Sequence, residues 1–177
     1  MKKLTIMRHG KAEPRGQPGI EDKDRELVDR GLEDASQVGK FYAAMIPDLI
    51  ISSPAVRALE TARLFAEGAG YSKDIMVDDR DLIYNGIGSS SVDDLMTLIR
   101  DQEDDHIMIV GHNNGVSDLI AHLDGRDGKT IVANPLLVTA ATAHIAFKGL
   151  DDWLALQPES GQMWALISPR FIKKLSG

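Results

Sequence analysis

Short apolar runs of β character alternate with stretches of helical period along almost the whole 177-residue chain, and this alternation narrows the fold more than any other feature. A β-like run around Leu4 and Ile6 starts almost at the first residue and stops at Gly10. Lys11 to Arg30, rich in Gly, Pro and charge, reads as a long surface loop. From Gly31 to Ile46 the residues Leu32, Ala35, Val38, Tyr42 and Met45 recur at helical spacing, with Glu33 and Asp34 early, where the helix dipole favours acids. Asp48 to Ser52 reads as a second buried strand. Ser53-Pro54 then offers an N-cap and a first-turn residue for a helix running to about Gly68. A weaker strand covers Ile75 to Asp78, and an irregular stretch follows to Ser90. Ser91 with Asp94 forms a capping box for a helix carrying Val92, Leu95, Met96 and Ile99 on one face. His106 to Val110 is the clearest strand, with a short helix behind it, and two late β-like runs span Thr139 to Phe147 and Met163 to Ile167.

Strands separated by helices predict a three-layer α/β/α sandwich with a mostly parallel central sheet, because parallel neighbours need a crossover connection. In such folds the ligand crevice lies beyond the carboxyl ends of the strands. Arg8-His9 follows the first strand, Ser52-Ser53-Pro54 with Arg57 follows the second, and Gly111-His112 follows the His106 strand. Three distant segments are therefore expected to meet at one crevice.

The length suits one domain, residues 1–177, with a core large enough to need no disulfide or metal. There is no Cys, so thiolate metal sites and cysteine nucleophiles are excluded. The start MKKLTIMRHG turns polar too soon for a signal peptide, and no apolar run spans a membrane, so a cytoplasmic protein is expected. A net charge of -7 argues against nucleic acid or anionic lipid as partners. Any anion site must be local.

Two arginines and two histidines at the mouth of such a sheet make a cationic pocket. Guanidinium forks match phosphoryl oxygens, and Arg57 in the first turn of its helix adds to the positive end of the helix dipole. Nearby positive charge keeps an imidazole neutral and therefore nucleophilic. His112 would hold a phosphoryl oxygen, and the fixed cations would stabilise the transition state, where kinases and NTPases use metal ions. The alternatives are structural: a helix-surface Arg57 paired with Glu60, and a His112 satisfied within a turn.

The residues resemble the histidine phosphatase superfamily, in its small bacterial branch of SixA-type phosphohistidine phosphatases, with a phosphoglycerate mutase-like fold. Arg8-His9-Gly10 is similar to the family signature. Ser52-Ser53-Pro54-Ala55-Val56-Arg57-Ala58-Leu59-Glu60-Thr61-Ala62 is similar to its second block and Val110-Gly111-His112-Asn113 to its third. Asp24-Arg25-Glu26-Leu27 followed by Gly31 resembles a turn of the small branch, and Ile167-Ser168-Pro169 its closing strand. The resemblance implies catalytic roles for Arg8, His9, Arg57 and His112, with His9 as nucleophile and Gly10 and Asn113 beside the substrate. It implies no metal and no cofactor.

Larger relatives place a general-acid glutamate between the third strand and its following helix, where this chain reads Asp79-Arg80-Asp81-Leu82-Ile83-Tyr84-Asn85-Gly86. Asp81 is the nearest candidate, with Tyr84 and Glu13 behind it; a solvated Asp81 paired with Arg80 is the plainer reading. General-acid help matters most for strongly basic leaving groups, so its absence favours a phosphoramidate nitrogen over an alkoxide. The segment is also too short for a lid, which suits a histidine displayed on a protein and argues against a mutase that must keep water out. Asn114 stands where relatives carry proline and Arg15 where the mutase branch carries asparagine, and neither removes a catalytic group. Phosphohistidine on a protein is the leading substrate. A broad small-molecule phosphomonoesterase and a non-catalytic phosphate-binding protein are the alternatives. His106, His122 and His144 lack metal-site spacing and are expected in structural roles, and Trp153 and Trp164 in packing.

Overall fold

A computed structural model describes residues 1–84, 86, 89–125 and 137–175. Its six strands are β1 (Lys2–Arg8), β2 (Leu49–Ser52), β3 (Met76–Val77), β4 (His106–Gly111), β5 (Thr142–Phe147) and β6 (Gln162–Ile167). They form one sheet in the order β3-β2-β4-β1-β5-β6. β3, β2, β4 and β1 run parallel, while β5 and β6 are antiparallel additions on one side. The expected α/β/α architecture is present.

Residues of period two send their side chains to opposite faces of the sheet. Leu4, Ile6, Ile107 and Ile109 pack under helices α3 (Val92–Arg100) and α4 (Gly115–Leu123). Met7, Ile50, Met108 and Val110 pack under α1 (Asp29–Phe41), α2 (Val56–Ala69) and α5 (Pro169–Leu175). The central strands are apolar on both faces because both are covered. Among the described residues no helix is long and apolar enough to cross a membrane.

Several boundaries differ from the sequence reading. The Ser91 capping box forms as expected, with both reciprocal bonds to Asp94. Ser53 is not the N-cap of α2: Ala55 stands at that position without a side-chain bond, and the Ser53 hydroxyl accepts from the Ala55 amide just before the helix and meets His112. Helix α1 stops at Phe41 rather than Ile46, because Tyr42 turns out of the helix and sends its phenol to Thr142 and His144. Helix α5 follows Ser168 unforeseen. Trp153 is fully buried as expected, but Trp164 is 53% exposed on edge strand β6 and contributes little to the core.

His106 and His144 belong to a hydrogen-bonded chain under β1. The His106 ring bonds the Ile46 carbonyl, which can only accept, so its other nitrogen accepts from Thr5. Thr5 in turn accepts from His144 Nδ1, leaving His144 Nε2 to accept from Tyr42. Both rings are spent on structure.

Candidate active site

The first strand delivers Arg8 and His9 to the carboxyl edge of the sheet. There the His9 amide donates to the Gly111 carbonyl at the end of β4, at 3.0 Å, locking two motif segments side by side. The His9 ring is 9% exposed, and its Nδ1 lies 2.7 Å from the Gly10 carbonyl oxygen. A carbonyl only accepts, so Nδ1 carries the proton, and the Nε2 lone pair has no partner among the described residues. Gly10 must be glycine: a Cβ there would stand 2.9 Å from the Gly31 carbonyl oxygen.

The Gly10 peptide is held from its other side. Its N–H donates to Thr61 Oγ1 at 2.9 Å, and the same hydroxyl donates to the Arg57 carbonyl at 2.6 Å. One buried hydroxyl thus ties the peptide that orients His9 to the first turn of α2. Both polar groups of Gly10 are spent in this way, so Gly10 orients the imidazole and has no free amide for substrate. Thr61→Val is expected to lower kcat by about tenfold with KM nearly unchanged, and Thr61→Ser to restore it. A Val variant that is folded and fully active removes this positioning role.

Arg57 and His112 meet beside His9. The two imidazole centroids are 5.1 Å apart. Arg57, fully buried, directs Nη2 to His112 Nδ1 at 3.3 Å. A guanidinium only donates, so Nδ1 accepts and His112 Nε2–H donates to Ser53 Oγ at 2.7 Å. The same hydroxyl also accepts from the Ala55 amide at 3.2 Å. Arg8 Nη1 donates to the Leu137 carbonyl at 2.7 Å, and its Nε has no partner among the described residues.

The four residues Arg8, His9, Arg57 and His112 are therefore gathered at one edge of the sheet, and an open cavity of about 640 Å³ adjoins them. Arg8, His9, His112, Arg15 and Arg25 line that cavity. Arg25 was not singled out in the sequence for a site role, although its turn stood out. Asp22 gave no sequence signal at all, yet its carboxylate meets Arg57 at 3.0 Å, Arg25 at 2.8 Å, Arg15 at 3.2 Å and the Tyr84 hydroxyl at 3.0 Å.

Two expected site residues are placed differently. Asp81 is exposed, with a left-handed φ of 57°, and lines a separate recess with Lys23, Pro54, Ala55, Tyr84 and Gly86. It is not brought to His9. Asn113 lines the main cavity, but its amide is taken by the Leu137 carbonyl at 2.9 Å and by Ser117 at 2.8 Å. It secures the segment that holds Arg8. Of the two weaker acid candidates, Glu13 lines the cavity, while the Tyr84 ring packs 5.1 Å from His112.

Burial is the main reason that His9 and His112 are pushed down to about 3 and about 2; Arg57 adds to the effect on both, and His9 itself adds to that on His112. Burial likewise lowers His144 to about 3. Each is neutral where the unfolded chain, with histidines near 6.5, begins to protonate. Below that pH the unfolded state binds more protons, so stability falls with falling pH between about 6.5 and 3, by up to about 1.4 kcal/mol per pH unit for each histidine. Urea midpoints are expected to drop steeply from pH 7 to 5, and a flat profile contradicts the neutral assignment.

Among the described residues no group of three or more His, Asp or Glu side chains is arranged to hold a metal ion. Residues 4–82 match the family model of the histidine phosphatase superfamily, branch 1. An uncharacterised protein of Mycobacterium leprae is 29% identical over 171 residues, 93% of this chain and 100% of the relative. The structure of the protein histidine phosphatase SixA complexed with tungstate is similar with a TM-score of 0.74 at 19% identity, over 95% of this chain and 97% of that one. Phosphoserine phosphatase of Entamoeba histolytica in complex with 3-phosphoglyceric acid is similar with a TM-score of 0.64 at 19% identity, over 97% of this chain and 100% of that one. At these identities the likeness to the two solved structures is one of fold.

Proposed function

We propose that the chain is a member of the histidine phosphatase superfamily, whose model matches residues 4–82, and that it is a metal-independent phosphatase whose nucleophile is His9 and whose substrate is phosphohistidine on a protein. The observation that carries the reading is the His9 imidazole itself. It is neutral, its Nδ1–H is fixed on the Gly10 carbonyl, and its Nε2 lone pair is left free in a cavity lined with arginines.

In the first step Nε2 attacks phosphorus, the bond from phosphorus to the substrate nitrogen breaks, and the departing imidazole takes a proton from solvent. In the second, water attacks the phosphoryl group, the P–Nε2 bond breaks, and orthophosphate leaves with His9 restored. Arg8 and Arg57 supply fixed positive charge to the equatorial oxygens in both transition states. His112 is held neutral by burial and becomes a second donor once a dianion beside it favours its protonation.

Two features support a phosphoramidate substrate. Asp81 lies outside the cavity, and the cavity is open enough to receive a histidine carried on another protein. One observation favours a second reading, a small-molecule phosphomonoesterase: Glu13 lines the cavity and would be able to protonate an alkoxide. Comparing kcat/KM for a phosphohistidine peptide with that for a set of alkyl phosphates separates the two. A preference of at least about a hundredfold for the peptide is expected. A preference for an alkyl ester, lost in Glu13→Gln, establishes the second reading instead. In both cases Asp81→Ala is expected to keep wild-type rates.

A further inference from the structure

Both terminal nitrogens of Arg57 are engaged within the chain, while its buried Nε has no partner among the described residues. Its Nη1 donates to the Asp22 backbone carbonyl at 2.5 Å, and its Nη2 donates to the Asp22 carboxylate at 3.0 Å and to His112. The guanidinium is fully buried and does not line the cavity beside His9. Asp22 sits in a short turn, Asp22–Asp24, carried by a loop whose Gly16 and Gly19 have open surroundings. The same carboxylate is shared with Arg25, Arg15 and the Tyr84 hydroxyl. It thus occupies, with an anion of the chain's own, the fork that a phosphoryl group must reach.

We infer that Asp22 is an internal competitor for phosphate on Arg57, and that this competition sets how quickly orthophosphate leaves the site. The inference rests on the phosphatase reading above. A cavity lined by Arg8, Arg15, Arg25, His9 and His112, with Arg57 behind it, holds a dianionic product tightly once Arg57 turns to it. A carboxylate returning to the guanidinium displaces that product. The exchange breaks and forms hydrogen bonds only: Arg57 gives up Asp22 when the phosphoryl group enters and regains it when orthophosphate departs. Burial raises the Asp22 carboxyl, but the Tyr84 hydrogen bond and the charges of Arg57 and Arg25 outweigh it and hold the group below the usual carboxylate range. Asp22 is therefore anionic and ready to return throughout neutral pH.

The alternative is that Asp22 merely props Arg57 in place, and the two roles have opposite signatures. Asp22→Asn keeps the side chain's shape and one acceptor oxygen while removing the competing charge. Its dissociation constant for orthophosphate, measured by calorimetry, is expected to be lower than wild type by about tenfold. In turnover KM and kcat should fall together, as product release becomes limiting. The gain in phosphate affinity should vanish in Asp22→Asn combined with Arg57→Ala, because it acts through Arg57. Phosphate affinity that is unchanged or weaker in Asp22→Asn overturns the inference and leaves Asp22 as a prop. Because orthophosphate binding needs no turnover, this outcome is separate from failure of wild-type protein to hydrolyse any phosphorylated substrate, which would instead defeat the phosphatase reading.

Discussion

Replacing His9 with alanine is expected to lower turnover by about 10⁴-fold or more, because the two-step route through a phosphoenzyme is removed entirely. Three of the other four histidines have their rings engaged within the fold. His106 and His144 have their ring nitrogens engaged in the chain beneath β1, and His112 directs its lone pair to Arg57 and its N–H to Ser53. Binding should survive better than chemistry, since Arg8 and Arg57 remain. The expected pattern is therefore a large loss in kcat with a change in orthophosphate affinity within about tenfold. Activity of His9→Ala within tenfold of wild type removes His9 from the mechanism.

The second large effect is expected at Arg57. Lysine keeps the charge but cannot make the planar fork that reaches Asp22 and His112 together, so Arg57→Lys should lose about 10²–10³-fold in kcat/KM. Arg57→Ala tests stability as well as rate. It leaves the Asp22 carboxylate without one of its partners inside a cluster whose guanidinium is fully buried. Breaking a fully buried pair costs about 3–5 kcal/mol, and Asp22 is partly open to solvent and keeps Arg25, so about 2 kcal/mol is expected. A urea midpoint equal to wild type, together with full kcat/KM in Arg57→Lys, contradicts the placement of Arg57 at the centre of the anion site.

The residues most easily found from sequence were those fixed by backbone rules. Arg8 and His9 end a strand that begins the chain, His112 follows the most apolar strand, and Arg57 lies in a first helical turn, so the crevice rule for parallel sheets was enough to gather them. Residues that act through long-range contacts carried no such signal. Asp22 lies in an irregular acidic loop and reaches its partners through tertiary folding, while Thr61 is one position among several on a helix. Local rules also misled where a side chain had a better partner. Ser53 has the composition of an N-cap, but His112 takes its hydroxyl; Tyr42 continues the helical period of α1, but its phenol is drawn to Thr142 and His144. Asp81 was a candidate acid only through the segment in which larger relatives carry a glutamate, with a solvated loop acid as the plainer reading, and its left-handed backbone directs it into another recess.

The central claim is a covalent phosphoryl group on one nitrogen, and it can be read directly. Wild-type protein is mixed with a phosphohistidine peptide, quenched in alkali within a single turnover, digested, and its phosphopeptide identified by mass spectrometry and phosphorus NMR. An acid-labile, alkali-stable phosphoryl group on Nε2 of His9, absent from His9→Ala, is the predicted result. Turnover with no such group, or the same label on another residue or in His9→Ala, contradicts the account.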